Sequence, residues 1–244
     1  MITATGTVLR IIASRVDEPY CVRIISDREI ERCTWRVTDS TGKECDTGEA
    51  LSAEFSGKFD ASAWSIACPT LYTLNVKAEY KGGECEELSD SFGYRYISAE
   101  GKNFYLNGFP FYMRAYIRGA AAHEHQNNCG LSEYEFYKKN ITMAKSYGYN
   151  TIRFHSVIPP EECFRAADEV GILIHIEMRR ENDDYKNLEE MLYGKNDFIT
   201  DDRLMEVINS LYNHPSFMVY CIGNEIREPG KKQRVAEIAK IIKR

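Results

Sequence analysis

An unbroken apolar run, residues 217–222, ends at Gly223-Asn224-Glu225. Six such residues suit a strand of a parallel sheet covered on both faces. A carboxyl group held just past the C-terminal end of that strand can donate a proton while the neighbouring amide hydrogen-bonds the same ligand. The same pair would also suit a solvated first turn of a helix, so the rest of the chain has to decide. Earlier apolar runs also end in polar groups. Arg118 follows residues 112–117, Arg153 and His155 lie in 151–156, and Glu177 closes 172–177. The opposite ends carry turn residues such as Gly148, Asn150 and Gly171. The chemistry-bearing side chains therefore gather on one rim, as at the active face of a βα-barrel.

The elements that position these residues change character near Ile97. Before it, Cys33, Trp35 and Val37 alternate with Thr34, Arg36 and Thr38, and Tyr72, Leu74, Val76, Ala78 and Tyr80 share one face of a longer strand. Period-two patterns separated by Gly-rich turns predict an antiparallel β-sandwich over residues 1–97. After it, Asn107-Gly108 marks a tight hairpin. Four strand and helix signals then alternate over 98–244, as consecutive βα units of a parallel sheet require. Ser132-x-x-Glu135 is a capping box that starts one helix, and Pro159-Pro160 with Gly171 bracket the next. Leu204, Val207, Ile208 and Leu211 give a third helix its apolar face, and Val235, Ile238, Ala239 and Ile242 a fourth. Ile152, Ile174 and Val219 are expected to face the interior of the barrel.

A net charge of -6 and a pI near 5.5 give no electrostatic reason to expect nucleic acid or an anionic membrane as partner. No apolar run reaches the length of a membrane span, and the first residues lack the basic start and apolar stretch of a secretory signal, so the expected location is cytoplasmic. The eight cysteines show no Cys-x-x-Cys pair and no zinc-like spacing, which reads as reduced, buried thiols rather than a disulfide framework. His123-Glu124-His125 has the His-x-His form of a metal-dependent barrel hydrolase. It is offset from the preceding strand by Gly119-Ala120-Ala121-Ala122 and lacks evident further ligands, so it reads as a loop and no metal is expected.

Three stretches carry a family resemblance. His214-Pro215-Ser216, the apolar strand and Gly223-Asn224-Glu225 resemble the acid/base strand of glycoside hydrolase family 2, the β-galactosidase, β-glucuronidase and β-mannosidase group. Residues 63–74, with Trp64-Ser65 and Leu71-Tyr72-x-Leu74, look like that family's immunoglobulin-like domain. Phe92-Gly93-Tyr94-Arg95-Tyr96-Ile97 is similar to its junction with the barrel. The resemblance implies an immunoglobulin-like β-sandwich followed by the first half of a TIM (β/α)8 barrel. It implies a retaining exo-β-glycosidase that acts on a carbohydrate and needs no organic cofactor, with Glu225 as acid/base and Asn224 binding the sugar 2-hydroxyl.

In the same family Arg153 matches an Arg that orients the nucleophile, or else it pairs with Glu177. Glu177 matches the acidic end of the third strand, Arg118 keeps its place on the first, and His155 lies next to a sugar-contacting position. Two departures, Ile117 in place of Asn and Ile176-Glu177-Met178-Arg179 in place of Asp-Glu-Ala-Asn, argue against an ordinary β-galactosidase pocket. The family's nucleophile lies on the seventh strand, so these residues read as a fragment carrying the acid/base alone, inactive by itself and inclined to self-associate or to pair with a complementary half-barrel. The alternatives are a non-catalytic carbohydrate-binding or interaction module and, further off, a metal-dependent TIM-barrel amidohydrolase built on His123 and His125.

Overall fold

The computed structural model describes residues 6–118, 130–155, 157–177, 201–222 and 231–242. Its first part consists of two antiparallel sheets. One has the order β1-β2-β5, from β1 (Val8–Ile12), β2 (Tyr20–Ile25) and β5 (Glu54–Gly57). The other has the order β4-β3-β6-β7, from β3 (Ile30–Asp39), β4 (Glu44–Ala50), β6 (Tyr72–Tyr80) and β7 (Cys85–Phe92). Period-two patterning decides which faces meet. Cys33, Trp35 and Val37 of β3 and the five alternate residues of β6 from Tyr72 to Tyr80 are all buried, sharing one core with Leu9, Ile11, Val22 and Phe55 of the other sheet. The Trp35 ring stacks on Phe55 at 4.1 Å between centroids.

A three-stranded antiparallel sheet follows, β8 (Ile97–Glu100), β9 (Asn103–Leu106) and β10 (Phe109–Phe111), in the order β10-β9-β8. Asn107 and Gly108 join its last two strands with φ of 52° and 81°, the left-handed pair that a two-residue hairpin turn requires.

The second part is a four-stranded parallel sheet in chain order, from β11 (Ala115–Arg118), β12 (Thr151–Phe154), β13 (Leu173–Glu177) and β14 (Phe217–Cys221). Between and after these strands come α1 (Glu133–Ser146), α2 (Glu161–Val170), α3 (Asp201–Leu211) and α4 (Lys231–Ile242). The capping box is formed, with the Ser132 side chain accepting from Glu135 N and the Glu135 carboxylate accepting from Ser132 N. β11 begins three residues later than the apolar run suggests. The Asn150 side chain accepts from Arg114 N at 2.8 Å and donates to Tyr112 O at 2.9 Å, which holds the approach to the strand outside the ladder.

The parallel sheet corrects one expectation about its faces. Ile152 and Ile174 do not look into the barrel interior; they are fully buried with Phe136, Ile141 and Phe164 beneath the helices. Register places Arg153 and His175 side by side on the opposite face, in the row that runs through Ile117 and Val219. The reason is that short strands flanked by helices bury their most apolar face under those helices, leaving the polar alternate positions for the other side.

The cysteines are also less uniformly buried than expected. All described ones are free, but only Cys33 and Cys163 are buried, whereas Cys21, Cys68 and Cys85 are exposed. Among the described residues, no helix is long and apolar enough to cross a membrane.

Candidate active site

The polar face of the parallel sheet is built by register. Arg153 on β12 lies opposite His175 on β13, and Glu177 follows two residues on, so all three side chains leave the same face. The Arg153 Nη2 donates to Glu177 Oε2 at 2.6 Å, with the carboxylate fully buried and the arginine about a quarter exposed. A buried carboxylate without a cation would cost several kcal/mol, so this pair is required as much as it is favourable. His175 is kept below the ordinary histidine range by burial first and by the neighbouring Arg153 charge second, partly offset by Glu177. Its neutral imidazole has Nε2 buried with no hydrogen-bond partner among the described residues.

Glu177 is also in register with Cys221, the last residue of β14. The Arg153–Glu177 pair therefore sits beside the strand end that leads, four residues later, to Glu225. Asn224 and Glu225 themselves lie outside the described residues, as do His123 and His125. Arg118 is placed differently. Its guanidinium carbon lies 5.3 Å from the Phe136 ring centroid and 5.7 Å from that of Tyr137, both on α1, which puts it on the helix side of the sheet. His155 continues the row of Arg153, and its backbone N–H bonds Arg118 O at 2.8 Å.

Sequence reasoning overlooked His175, although period two from Glu177 was a signal for it. It also overlooked a buried cluster that holds β14 in place. Asp168 on α2 accepts from Ser216 N at 2.9 Å, and its other oxygen lies 2.5 Å from His214 Nδ1. Both side chains are almost fully buried. Burial alone would lower the His214 pKa, but the hydrogen bond and charge of Asp168, helped by Asp90 and Glu161, raise it overall. The backbone carbonyl of Asp168 accepts from Trp64 Nε1 at 2.8 Å, so the Trp64-Ser65 and His214-Pro215-Ser216 motifs meet at one helix residue. Asn213 completes the junction with β1 and β7. Its amide accepts from Ile11 N and donates to Leu9 O and to the Asp90 carboxylate. Among the described residues, no three potential ligands cluster as a metal site.

The parallel strands, the helices on one face and a polar row on the other define a domain of the βα-barrel class. Residues 97–244 match the family profile of Glycosyl hydrolases family 2, TIM barrel domain. The chain belongs to glycoside hydrolase family 2. It is 30% identical over 165 residues to a putative beta-glucuronidase of Formosa agariphila, covering 67% of this chain and 19% of that protein. It is 26% identical over 201 residues to a beta-glucuronidase of Paenibacillus borealis, covering 78% and 32%. In fold it is similar to an FMN-binding beta-glucuronidase from Facaelibacterium prausnitzii, with a TM-score of 0.75 at 20% identity, covering 98% of this chain and 38% of the other. A beta-D-glucuronidase of Dictyoglomus thermophilum matches with the same TM-score at 21% identity, covering 97% and 41%. The chain thus spans about a fifth to a third of the length of these two curated relatives.

Proposed function

We propose that these residues form the acid/base side of a retaining β-glycosidase site. Residues 1–97 are in this reading an immunoglobulin-like sandwich and 98–244 the first four βα units of a TIM barrel. Family membership and the Arg153–Glu177 pair beside the end of β14 support it, because that pair prepares the polar face on which a glycoside would lie. Glu225 protonates the departing glycosidic oxygen and later takes a proton from water, while Asn224 bonds the sugar 2-hydroxyl as positive charge develops at the anomeric carbon. Arg153, held by Glu177, and His155 line the substrate side.

Retention requires a second carboxylate about 5 to 5.5 Å from the first to attack the anomeric carbon. We assign that nucleophile to barrel strands other than these four, in the same polypeptide or in a partner half-barrel. The substrate is a carbohydrate β-glycoside, and no organic cofactor enters the scheme. The test is a panel of aryl and alkyl β-glycosides with the 244-residue chain alone and with the four remaining βα units supplied. Turnover is expected only in the second case. There Glu225→Ala should depress poor leaving groups far more than activated aryl glycosides, whose departure needs little protonation. Equal losses would remove Glu225 as the acid, and turnover by the chain alone, abolished in Glu225→Gln, would overturn the assignment of the nucleophile.

A further inference from the structure

β11 and β14 are the two edges of the parallel sheet, and among the described residues each is paired on one side only. A strand edge presents a row of backbone N–H and C=O groups that another strand can complete. Beside the β11 edge lies a groove of about 360 Å³, lined by Tyr116 and Arg118 of β11, Asn140 and Met143 of α1, and Tyr147 and Tyr149 just past it. Helical spacing sets its outer wall. Tyr134, Lys138 and Lys145 turn toward α2, where they meet Glu169 and Val170 O, so Asn140, Met143 and Tyr147 fall on the flank that faces away from α2. Met143 is 51% exposed, Tyr147 77% and Tyr149 38%, and the Tyr149 ring rests 5.1 Å from that of Tyr116 between centroids. Large side chains carry about 150–250 Å² each, so these fractions leave roughly 300–400 Å² of surface on one flank. A patch of that size on a folded chain marks an interaction site.

The opposite edge offers what fits this groove. A βα unit winds right-handed, so α4 lies over the free side of β14. Ile238 anchors α4 in the core beneath the helices, while Val235 and Ala239 stay half-exposed and Ala236 is exposed. Small side chains on that face leave room for the bulky ones of a facing helix. Four strands that run parallel in chain order, turned about a two-fold axis along the sheet, become eight, with β14 of one copy beside β11 of the other at both seams. Both edges are completed at once, every strand stays parallel to its neighbours, and each α4 enters the groove beside the other copy's α1. Two grooves and the two helix faces that fill them bury about 1,200–1,600 Å², the size of a specific, stable interface.

We propose that this chain pairs with a second copy of itself through these edges, the two sheets closing one eight-stranded barrel. The proposal rests on the strand order and the groove, not on the glycosidase reading. Sedimentation equilibrium of the 244-residue chain is expected to give a closed dimer, twice 28.1 kDa. Tyr147→Glu puts a charge into the groove and should weaken association about a hundredfold, the effect of losing an aromatic anchor. Leu51→Glu, similarly exposed but on the two-sheet part, should leave association unchanged. Ala236→Lys on α4 should weaken it as well. A mixture of Tyr147→Glu and Ala236→Lys copies should recover the dimer, because one seam is then native and the other sets Glu against Lys.

All three substitutions replace exposed side chains, and far-UV circular dichroism checks that each variant folds. Should one groove or helix variant fail to fold, the mass of the parent chain and the other variant still decide. A monomeric parent chain, open-ended assemblies in place of a dimer, association unmoved by Tyr147→Glu, or a mixture that stays monomeric would each overturn the proposal. A monomer that instead binds the four remaining βα units would give these edges to that partner and overturn it too.

Discussion

Asp168 and His214 meet at 2.5 Å in the interior, joining α2 to the residue that introduces β14. The carboxylate holds the strand through two contacts, the His214 ring and Ser216 N. Because Asp168 also supplies the carbonyl that receives Trp64 Nε1, the orientation of β14 and the seating of the two-sheet part depend on the same residue.

Replacing Asp168 by Ala should therefore destabilise the protein by about 3–5 kcal/mol, the usual cost of removing one partner of a buried charged pair. Urea unfolding followed by tryptophan fluorescence measures it, since Trp64 is fully buried at the junction. Asp168→Asn should cost less, because the amide oxygen can still accept from Ser216 N.

The His214–Asp168 pair predicts a pH dependence of definite sign. The folded-state pKa of His214 lies above its ordinary value of 6.5. Its stabilisation is thus complete below pH 6.5 and is lost as the pH rises through the raised folded value. His175 has the opposite shift, so it destabilises the fold as the pH falls below 6.5. Comparing Tm against pH for the parent and for His214→Gln isolates the first effect. The difference in Tm should be largest in mildly acidic buffer and shrink toward alkaline pH; a constant difference would show that His214 is not charged in the fold.

Breaking the Arg153–Glu177 pair should be asymmetric. Arg153→Met removes the guanidinium that donates to a fully buried carboxylate and should cost about 3–5 kcal/mol. Glu177→Gln leaves a partly exposed arginine and should cost less. A double-mutant cycle by chemical denaturation should return a favourable coupling, and additive effects would mean that the pair contributes no net stability.

Gly171 ends α2 with φ of 79°, and a Cβ there would come within 2.6 Å of the Ile66 carbonyl oxygen. Gly171→Ala therefore combines left-handed strain with a backbone clash against the two-sheet part. A loss of about 2–4 kcal/mol is expected in thermal denaturation, more than Ala costs at an exposed left-handed glycine.

Local patterns in the sequence already contained most of the elements. Alternation from Tyr72 to Tyr80 identifies β6 and its buried face, Ser132-x-x-Glu135 starts α1, and Asn107-Gly108 makes its hairpin, because each rests on interactions between residues close in the chain. The motifs around Trp64, His214 and residues 92–97 likewise carry the family in the sequence itself. What alternation alone does not say is which of two faces a short parallel strand turns to the helices. Ile152 and Arg153 fit either assignment until α1 and α2 pack down and neighbouring strands set the register. The ion pair at Glu177, the lowered pKa of His175, the turn of Arg118 toward α1 and the junction around Asp168 all follow from that packing. They join residues 18 to 46 or more positions apart, and only the tertiary structure brings such partners into contact.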